Sequence, residues 1–301
     1  MRIKKHQSGN EYIFAEGVWV RNFTKDSLTK VNLTHMFEQS DYHTILKNEE
    51  MNRNYPNIAN ERLQFNGMVI VSDGYDFENR HLFLNKLPKD VAIFATNNVL
   101  SKWKLLSSKT ISERRTINAY VANNPYRECL NFLPIRGSQY YPACVASNRT
   151  CHEFLKKYSG DVYTYTPTPE VAFGVSRSES YFIDDYRNPI CACVGLAHQF
   201  KVSKLMLLCC DYSFKEQRDF SVPLSNGLFT YPQHIKSQRI IDANLYWLKS
   251  QEFRKVEIAN YSNGIDCDNA VYIKTEQEAL NFFRGQEEGT QDVTTQASLG
   301  T

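Results

Sequence analysis

The chain has 301 residues, of which 42% are hydrophobic and 23% are charged, and its formal net charge is +2. This composition is typical of a soluble globular protein, and the near-zero charge excludes the strongly basic balance of a nucleic-acid-binding domain. The sequence contains no run of about 18 apolar residues, and no apolar segment follows its basic start, so neither a transmembrane helix nor a secretory signal is predicted. We therefore expect a cytoplasmic protein that binds no nucleic acid.

Residues 1–64 are predicted to form a small β and helical extension. Short apolar runs at residues 12–14 and 18–20 flank a turn at Gly17, which is a hairpin pattern. A polar, helix-prone segment follows and is interrupted at Pro56.

From residue 65 to 285, short apolar runs alternate with helix-prone segments. This alternation predicts an α/β fold, a Rossmann-like and mainly parallel sheet flanked by helices, because parallel strands require crossover connections. The polar residues 286–301 are predicted to form a disordered tail. The predicted strands cover residues 68–71, 91–95, 117–122, 143–146, 162–165, 205–210 and 256–259.

The eight cysteines do not show metal-ligand spacing. Cys191 and Cys193 lie two apart on a predicted helix, and Cys209 and Cys210 are adjacent at a strand end, so neither pair converges. No C-x-x-C pair occurs. We interpret the cysteines as reduced, mostly buried small hydrophobic residues and predict no metal site.

Ser72, Asp73 and Gly74 follow the first buried strand directly. They form either a cradle for a nucleotide phosphate or a simple strand-to-helix turn. The dinucleotide pattern G-x-G-x-x-G and the P-loop pattern are both absent. The loop-region cations Arg114, Arg115 and Arg136 either neutralise phosphates or stay solvated.

Asparagines close the next two strands, at residues 96–98 and 123–125. Carboxyl ends of parallel strands share one edge of a sheet, so these amides suit the recognition of a base and ribose through neutral hydrogen bonds. Asp211 ends a later strand, where it either holds a ligand hydroxyl or caps a loop. His234 opens the following helix and suits proton transfer near neutral pH.

The order of these segments resembles that of the bacterial sialyltransferases of the Campylobacter type. It is also similar to the motility-associated glycosyltransferases and the archaeal hydroxymethylpterin pyrophosphokinase-like proteins. This resemblance implies a GT-A-like variant of the Rossmann-like fold and spans about residues 65–275. It rests on residues 71–74, 94–97, 120–125, 191–211 and 231–234.

The resemblance also implies roles for single residues. His234 matches the histidine of the family's tyrosine-x-x-histidine, which serves as general base, and Tyr231 would donate a hydrogen bond to the departing phosphate. Asn97 and Asn124 match asparagines that contact the nucleotide.

Two further segments depart from the family's pattern, and a third matches it. Ser72, Asp73 and Gly74 stand at the donor-binding loop where the family has glycine-asparagine-glycine-proline-serine. Asn188 stands in a donor-binding turn where the family has threonine-serine-glycine, and Asp211 matches a donor-contacting strand end.

The implied function is transfer of a sialic-acid-like sugar from a CMP-activated donor to a hydroxyl of a glycan or another acceptor, without a metal ion or cofactor. One alternative is a Mg²⁺-dependent diphosphokinase of the hydroxymethylpterin type, with Asp73, Asp76 and Asp211 as its available carboxylates. Another is a non-catalytic binding or assembly protein that kept the fold. The sequence also leaves open whether the protein forms a homo-oligomer.

Overall fold

The computed structural model describes most of the predicted core and parts of the chain on either side of it. The described residues are 2–5, 11–15, 18–21, 39–61, 63–74, 77–97, 99–100, 102, 115–133, 141–167, 182–183, 185, 188–210, 223–224, 227–228, 231–251, 255–262 and 267–284. The predicted tail, residues 286–301, lies outside them.

Nine parallel strands form the central sheet of the described part of the chain, in the order β14-β13-β10-β4-β5-β6-β7-β8-β9. The predicted α/β fold with a mainly parallel sheet is therefore confirmed. The strands are β4 Gly67–Val71, β5 Val91–Thr96, β6 Ala119–Ala122, β7 Ala143–Ser147, β8 Val162–Pro167, β9 Phe182–Ile183, β10 Lys204–Leu208, β13 Glu257–Tyr261 and β14 Val271–Tyr272.

Smaller antiparallel sheets lie outside this core. β1 (Arg2–Lys5), β2 (Glu11–Ala15) and β3 (Val18–Arg21) form one sheet. Its β2–β3 pair is the hairpin predicted around Gly17. β11 (Pro223–Leu224) and β12 (Gly227–Leu228) form a second, two-stranded sheet.

Helices connect the strands and cover both faces of the central sheet. The α-helices are α1 Gln39–Asn52, α2 Phe77–Arg80, α3 His152–Lys157, α4 Pro189–Gln199, α5 Tyr231–Ser250 and α6 Glu276–Arg284, and the 3-10 helices are Ile58–Asn60, His81–Lys86 and Arg127–Phe132. None of the described helices is long and apolar enough to cross a membrane.

The core consists of two apolar layers, one on each face of the sheet. The α4 layer packs alternate strand residues such as Ile70 and Leu207 against α4 and α5. The α6 layer packs the intervening residues, such as Val71 and Leu208, against α2, α3 and α6. All residues of β4 and β5 are buried, which explains why these strands read as continuous apolar runs rather than alternating ones.

The cysteines take the predicted role of small buried hydrophobic residues. All eight are free thiols, and only Cys267 is partly exposed. Burial raises the pKa of Cys129, Cys144 and Cys193, so these groups remain protonated at neutral pH.

Candidate functional site

The sheet has a topological switch point between β4 and β10. From β4 the sheet extends through β5 to β9 on one side, whereas β10 and β13 lie on the other side. In open parallel sheets, ligands bind in the crevice outside the carboxyl ends of the strands at such a point. Residues 72–74 leave β4 there, and residues 209–210 leave β10.

Backbone hydrogen bonds connect residues 72–74, the first loop, to the end of β10. The Ser72 N–H donates to the Leu208 carbonyl over 3.1 Å, and the Gly74 N–H donates to the Cys209 carbonyl over 3.0 Å. Because these two amides are engaged within the protein, they are not available to a phosphate. A phosphate at this loop would therefore bind through other groups than these two amides.

Lys102 supplies a positive charge at the same loop. Its Nζ donates to the Asp73 carbonyl over 3.0 Å and lies 3.7 Å from Asp73 Oδ2. The side chain is 37% exposed. Our sequence reasoning missed this residue. The available signal was its place shortly after Asn97, in the helical residues that follow β5.

Asn97 connects the first loop to the end of β5. Its φ of 53° is a left-handed conformation, which asparagine adopts more readily than most residues. Its Nδ2 donates to Ser72 Oγ over 3.1 Å, and its carbonyl accepts from the Tyr120 hydroxyl over 3.0 Å. Burial raises the pKa of Tyr120 and keeps this donor protonated. The structure thus brings the predicted residues Ser72 and Asn97 into contact.

The end of β10 is strained and tightly held. Buried Cys209 has a φ of 53°, and such a conformation in a residue other than glycine costs on the order of 1–3 kcal/mol. The Cys210 N–H donates to Ser262 Oγ over 2.9 Å, and Cys210 Sγ donates to the Ile70 carbonyl over 3.3 Å. The predicted donor contact Asp211 lies next in the chain, outside the described residues.

Asn123 and Asn124 have different surroundings at the end of β6. Asn124 Oδ1 accepts from the Tyr126 N–H over 2.9 Å, and the Asn124 carbonyl accepts from the Cys151 N–H over 3.0 Å. These bonds make Asn124 a turn-forming residue. Asn123 is only 7% exposed, and sequence reasoning did not single it out from its neighbour.

Helix α1 covers the carboxyl ends of β6 and β7. Asn52 Nδ2 donates to the carbonyls of Asn148 and Thr150 over 2.9 and 2.7 Å, and Asn48 binds two further carbonyls of the same loops. Asn52 Oδ1 lies 2.8 Å from His152 Nδ1. Since Asn52 Nδ2 is the donor, its Oδ1 is an acceptor, and His152 Nδ1 carries a hydrogen. Helix α1 therefore shapes this end of the sheet.

Asn188 caps the amino terminus of α4. Its Oδ1 accepts from the Ile190 N–H over 2.9 Å, and its own N–H donates to the Asp185 carbonyl over 2.7 Å. Asp185 Oδ2 accepts from the Tyr165 hydroxyl over 2.8 Å. Burial, with a smaller effect of the Asp185 charge, raises the pKa of Tyr165. The predicted donor contact Asn188 thus has an anchoring role in the fold.

Alternation of side chains along the strands assigns Ser72 and Asn123 to the α4 side of the sheet. Val121 packs in the α4 layer and Ala122 in the α6 layer. Because successive side chains alternate along a strand, Asn123 falls on the α4 side. The same reasoning from Ile70 places Ser72 on that side.

Helix α5 begins with Tyr231, and His234 lies in its first turn. The side chains of both residues lie outside the described part of the chain. α5 precedes the parallel strand β13, so its first turn is directed toward the carboxyl end of the sheet. Its 20 residues span about 30 Å, roughly twice the length of a five-residue strand. The first turn therefore extends beyond the strand ends on the α4 side.

The predicted loop arginines do not lie at this site in the described part of the chain. Arg115 binds the carbonyls of Pro88 and Lys89 at the amino end of the sheet, over 2.9 and 2.8 Å. Arg114 and Arg136 lie outside the described residues. Within the described ranges, no group of three or more His, Cys, Asp or Glu side chains is arranged to hold a metal ion.

Comparison with known proteins identifies a related fold. The chain matches no protein-family model and no curated protein. Among solved structures it is similar to the MAf glycosyltransferase from Magnetospirillum magneticum AMB-1, with a TM-score of 0.60 and 13% sequence identity. The match covers 86% of this chain and 44% of that protein, so the chain spans less than half of that glycosyltransferase.

This likeness shows a shared fold. It supports, at the level of the fold, the resemblance of the sequence to motility-associated glycosyltransferases. The resemblances to sialyltransferases and to pyrophosphokinase-like proteins stay predictions.

Proposed function

We propose that the protein is a glycosyltransferase that moves a sialic-acid-like sugar from a CMP-activated donor to a hydroxyl of a glycan or another acceptor. The observation that carries this proposal is the polar carboxyl end of the sheet at its switch point, in a fold shared with a glycosyltransferase. Hydroxyl and amide groups such as those of Ser72 and Asn97 offer the neutral hydrogen bonds that a nucleotide and a sugar require.

In the proposed mechanism, His234 removes the proton of the acceptor hydroxyl as that oxygen attacks the sugar. The bond from the sugar to the CMP phosphate breaks, and the phosphate keeps the electron pair. Tyr231 donates a hydrogen bond to the departing phosphate. Lys102, beside Asp73 at the first loop, contributes positive charge on the same edge.

Nucleotide binding is the first test. CMP, CTP, UDP and ATP are added separately to the full chain, with and without Mg²⁺, and thermal unfolding is followed. A ligand present at about 100 times its Kd stabilises the folded state by about 2.7 kcal/mol. We expect the cytidine nucleotides to raise Tm most, in the absence of Mg²⁺ as well as in its presence.

Catalysis is the second test. His234→Ala should lower transfer from a CMP-sugar by about 10²–10⁴-fold, the range expected for loss of a general base. Tyr231→Phe should lower kcat less. His198→Ala is the matched control, because His198 is exposed on α4 and packs against Trp247.

Other outcomes point to the alternatives. Unchanged transfer in His234→Ala and Tyr231→Phe would refute the assigned mechanism. Stabilisation by ATP only with Mg²⁺, together with diphosphate transfer, would favour the diphosphokinase. Absence of any nucleotide effect would favour a binding or assembly protein.

A further inference from the structure

A chain of two hydrogen bonds connects the core to the first loop at the switch point. The Tyr120 hydroxyl donates to the Asn97 carbonyl over 3.0 Å, and Asn97 Nδ2 donates to Ser72 Oγ over 3.1 Å. Tyr120 lies in β6, Asn97 directly follows β5, and Ser72 directly follows β4. The position of the Ser72 hydroxyl therefore depends on a residue two strands away.

Packing fixes Tyr120 at the start of this chain. The residue is 2% exposed, and its ring stacks on that of Tyr158 with 6.2 Å between centroids and 12° between planes. Its hydroxyl binds the carbonyl of Asn97, whose φ of 53° is a left-handed conformation that few residues other than glycine adopt. The bond therefore stabilises Asn97 in a conformation that is otherwise disfavoured.

A further hydrogen bond holds the ends of β4 and β5 together. Thr96 Oγ1 donates to the Val71 carbonyl over 3.2 Å, one residue before Asn97 and Ser72 respectively. Both residues of this bond are buried. Because the strand ends are fixed there, the contact between Asn97 and Ser72 depends mainly on the backbone conformation of Asn97.

The Ser72 hydroxyl has a donor hydrogen that the chain does not use. A hydroxyl has one donor hydrogen and two acceptor lone pairs, and Ser72 Oγ uses a lone pair to accept from Asn97 Nδ2. Among the residues that the structure describes, none accepts the Ser72 hydroxyl hydrogen. Ser72 is only 5% exposed, so water has little access to it. A nearly enclosed donor without an acceptor indicates an acceptor on a ligand.

The surroundings of Ser72 favour a phosphate oxygen as this acceptor. The N–H groups of Ser72 and Gly74 are engaged with the end of β10, so the hydroxyl is the donor that Ser72 can offer. Lys102 Nζ lies 3.7 Å from Asp73 Oδ2 in the same loop. The ammonium group thus balances the negative charge of Asp73, which by itself would repel an anion.

We propose that Tyr120 is a positioning residue of the ligand site. Through Asn97 it orients the Ser72 hydroxyl, which donates its hydrogen to a phosphate oxygen of the nucleotide. Tyr120 itself does not touch the nucleotide, because its ring is enclosed and its hydroxyl binds Asn97. This inference rests on the proposed function and assigns Asn97 an orienting role in addition to the direct contact that the sequence resemblance implies.

The first comparison is Tyr120→Phe against Tyr158→Phe. Each variant removes one hydroxyl from a buried tyrosine and keeps the ring, and the Tyr158 hydroxyl donates to the Pro142 carbonyl at the amino end of the sheet. By calorimetric titration of the full chain, we expect Tyr120→Phe to weaken CMP binding by about 5-fold and Tyr158→Phe by less than about 2-fold. Equal losses would show a general effect of destabilisation and overturn the proposal.

A double-mutant cycle tests whether Tyr120 acts through Ser72. Ser72→Ala should weaken CMP binding by about 10-fold, because it removes a hydrogen bond to a charged group. If Tyr120 serves to orient that hydroxyl, adding Tyr120→Phe to Ser72→Ala should weaken binding no further. Additive losses in the double variant would overturn the positioning role.

Cytidine, which lacks the phosphate, identifies the group that Ser72 binds. Ligand-observed NMR at millimolar concentration detects weak binding, and Ser72→Ala should bind cytidine as wild type does. A loss of cytidine binding as large as that of CMP binding would overturn the phosphate contact.

Failure of this inference is distinguishable from failure of the proposed function. If wild type binds none of the nucleotides, the proposed function fails and this inference fails with it. If wild type binds CMP and Tyr120→Phe binds it equally well, only this inference fails.

Discussion

The two ends of the central sheet use polar residues differently. At the amino end, the exposed side chain of Asn66 binds Asp90 over 2.7 Å, and Arg115 binds backbone carbonyls. At the carboxyl end, Ser72 and Asn123 are buried. The Asn66–Asp90 bond at the amino end thus lies beside water, whereas Ser72 and Asn123 at the carboxyl end are removed from it.

Left-handed backbone shows the same contrast. Lys201, with a φ of 60°, follows α4, and the N–H groups of Lys201 and Val202 donate back to carbonyls of that helix. This is an ordinary helix end of the Schellman type. Asn97 and Cys209 instead stand at strand ends beside the switch point. Their strain lies where backbone strain is most often functional.

The largest expected effect concerns Asn52, whose side chain binds a loop at the carboxyl end of the sheet. Asn52→Ala leaves the buried Thr150 carbonyl and the partly buried Asn148 carbonyl without their donor, so the free energy of unfolding should fall by about 3 kcal/mol. Asn66→Ala makes the same substitution at the amino end, where the side chain is exposed, and should change it by less than about 0.5 kcal/mol. Urea denaturation measures both. Similar losses would remove the distinction between the two ends.

The sheet was largely predictable because its central strands are buried on both faces. Residues 68–71, 91–95 and 205–210 read as continuous apolar runs, and each contains or overlaps an observed strand. β9 and β14 have two residues each. So short a segment carries no periodicity, and its strand character depends on the neighbour with which it pairs.

The site was predictable in part. Ser72 and Asn97 follow neighbouring strands, so their contact follows from the sheet topology. The difference between Asn123 and Asn124 was not predictable, because it depends on which amide closes the turn at Tyr126. The contacts of Asn52 join loops about 100 residues away, and no local pattern shows its partners.

A second, intermediate effect compares two buried tyrosine hydroxyls. Tyr165 donates to the Asp185 carboxylate at the carboxyl end, and Tyr158 donates to the Pro142 carbonyl at the amino end, each over 2.8 Å. Bonds to charged groups contribute more, so Tyr165→Phe should cost about 2 kcal/mol and Tyr158→Phe about 1 kcal/mol. Urea denaturation at pH 7 measures both, and a larger cost for Tyr158→Phe would contradict the comparison.

Tyr165 should also make the free energy of unfolding depend on pH. The raised pKa of Tyr165 means that the unfolded phenol ionises above pH ~10 while the folded one stays protonated. Its contribution to stability is therefore complete below pH ~10 and is lost as the pH rises toward the folded pKa. Denaturation between about pH 9 and about pH 11 should show a shallower decline in stability for Tyr165→Phe than for wild type.

The smallest expected effect comes from replacing one left-handed residue with glycine at each end of the sheet. This is the most direct comparison of the two ends, because the substitution is of the same kind at both. Lys201→Gly removes the cost of a left-handed lysine and should raise the free energy of unfolding by up to about 1 kcal/mol, with CMP affinity unchanged. Asn97→Gly gains the same relief but loses the bond to Ser72, so its stability should change little while CMP affinity falls several-fold.

Urea denaturation and calorimetric titration with CMP measure the two quantities on the same samples. If Asn97→Gly gains stability as Lys201→Gly does and binds CMP like wild type, the strain at Asn97 has no role in ligand binding. If it loses affinity without losing stability, the left-handed asparagine is retained because its amide and Ser72 together form part of the ligand site, and glycine, which fits the backbone better, cannot replace it.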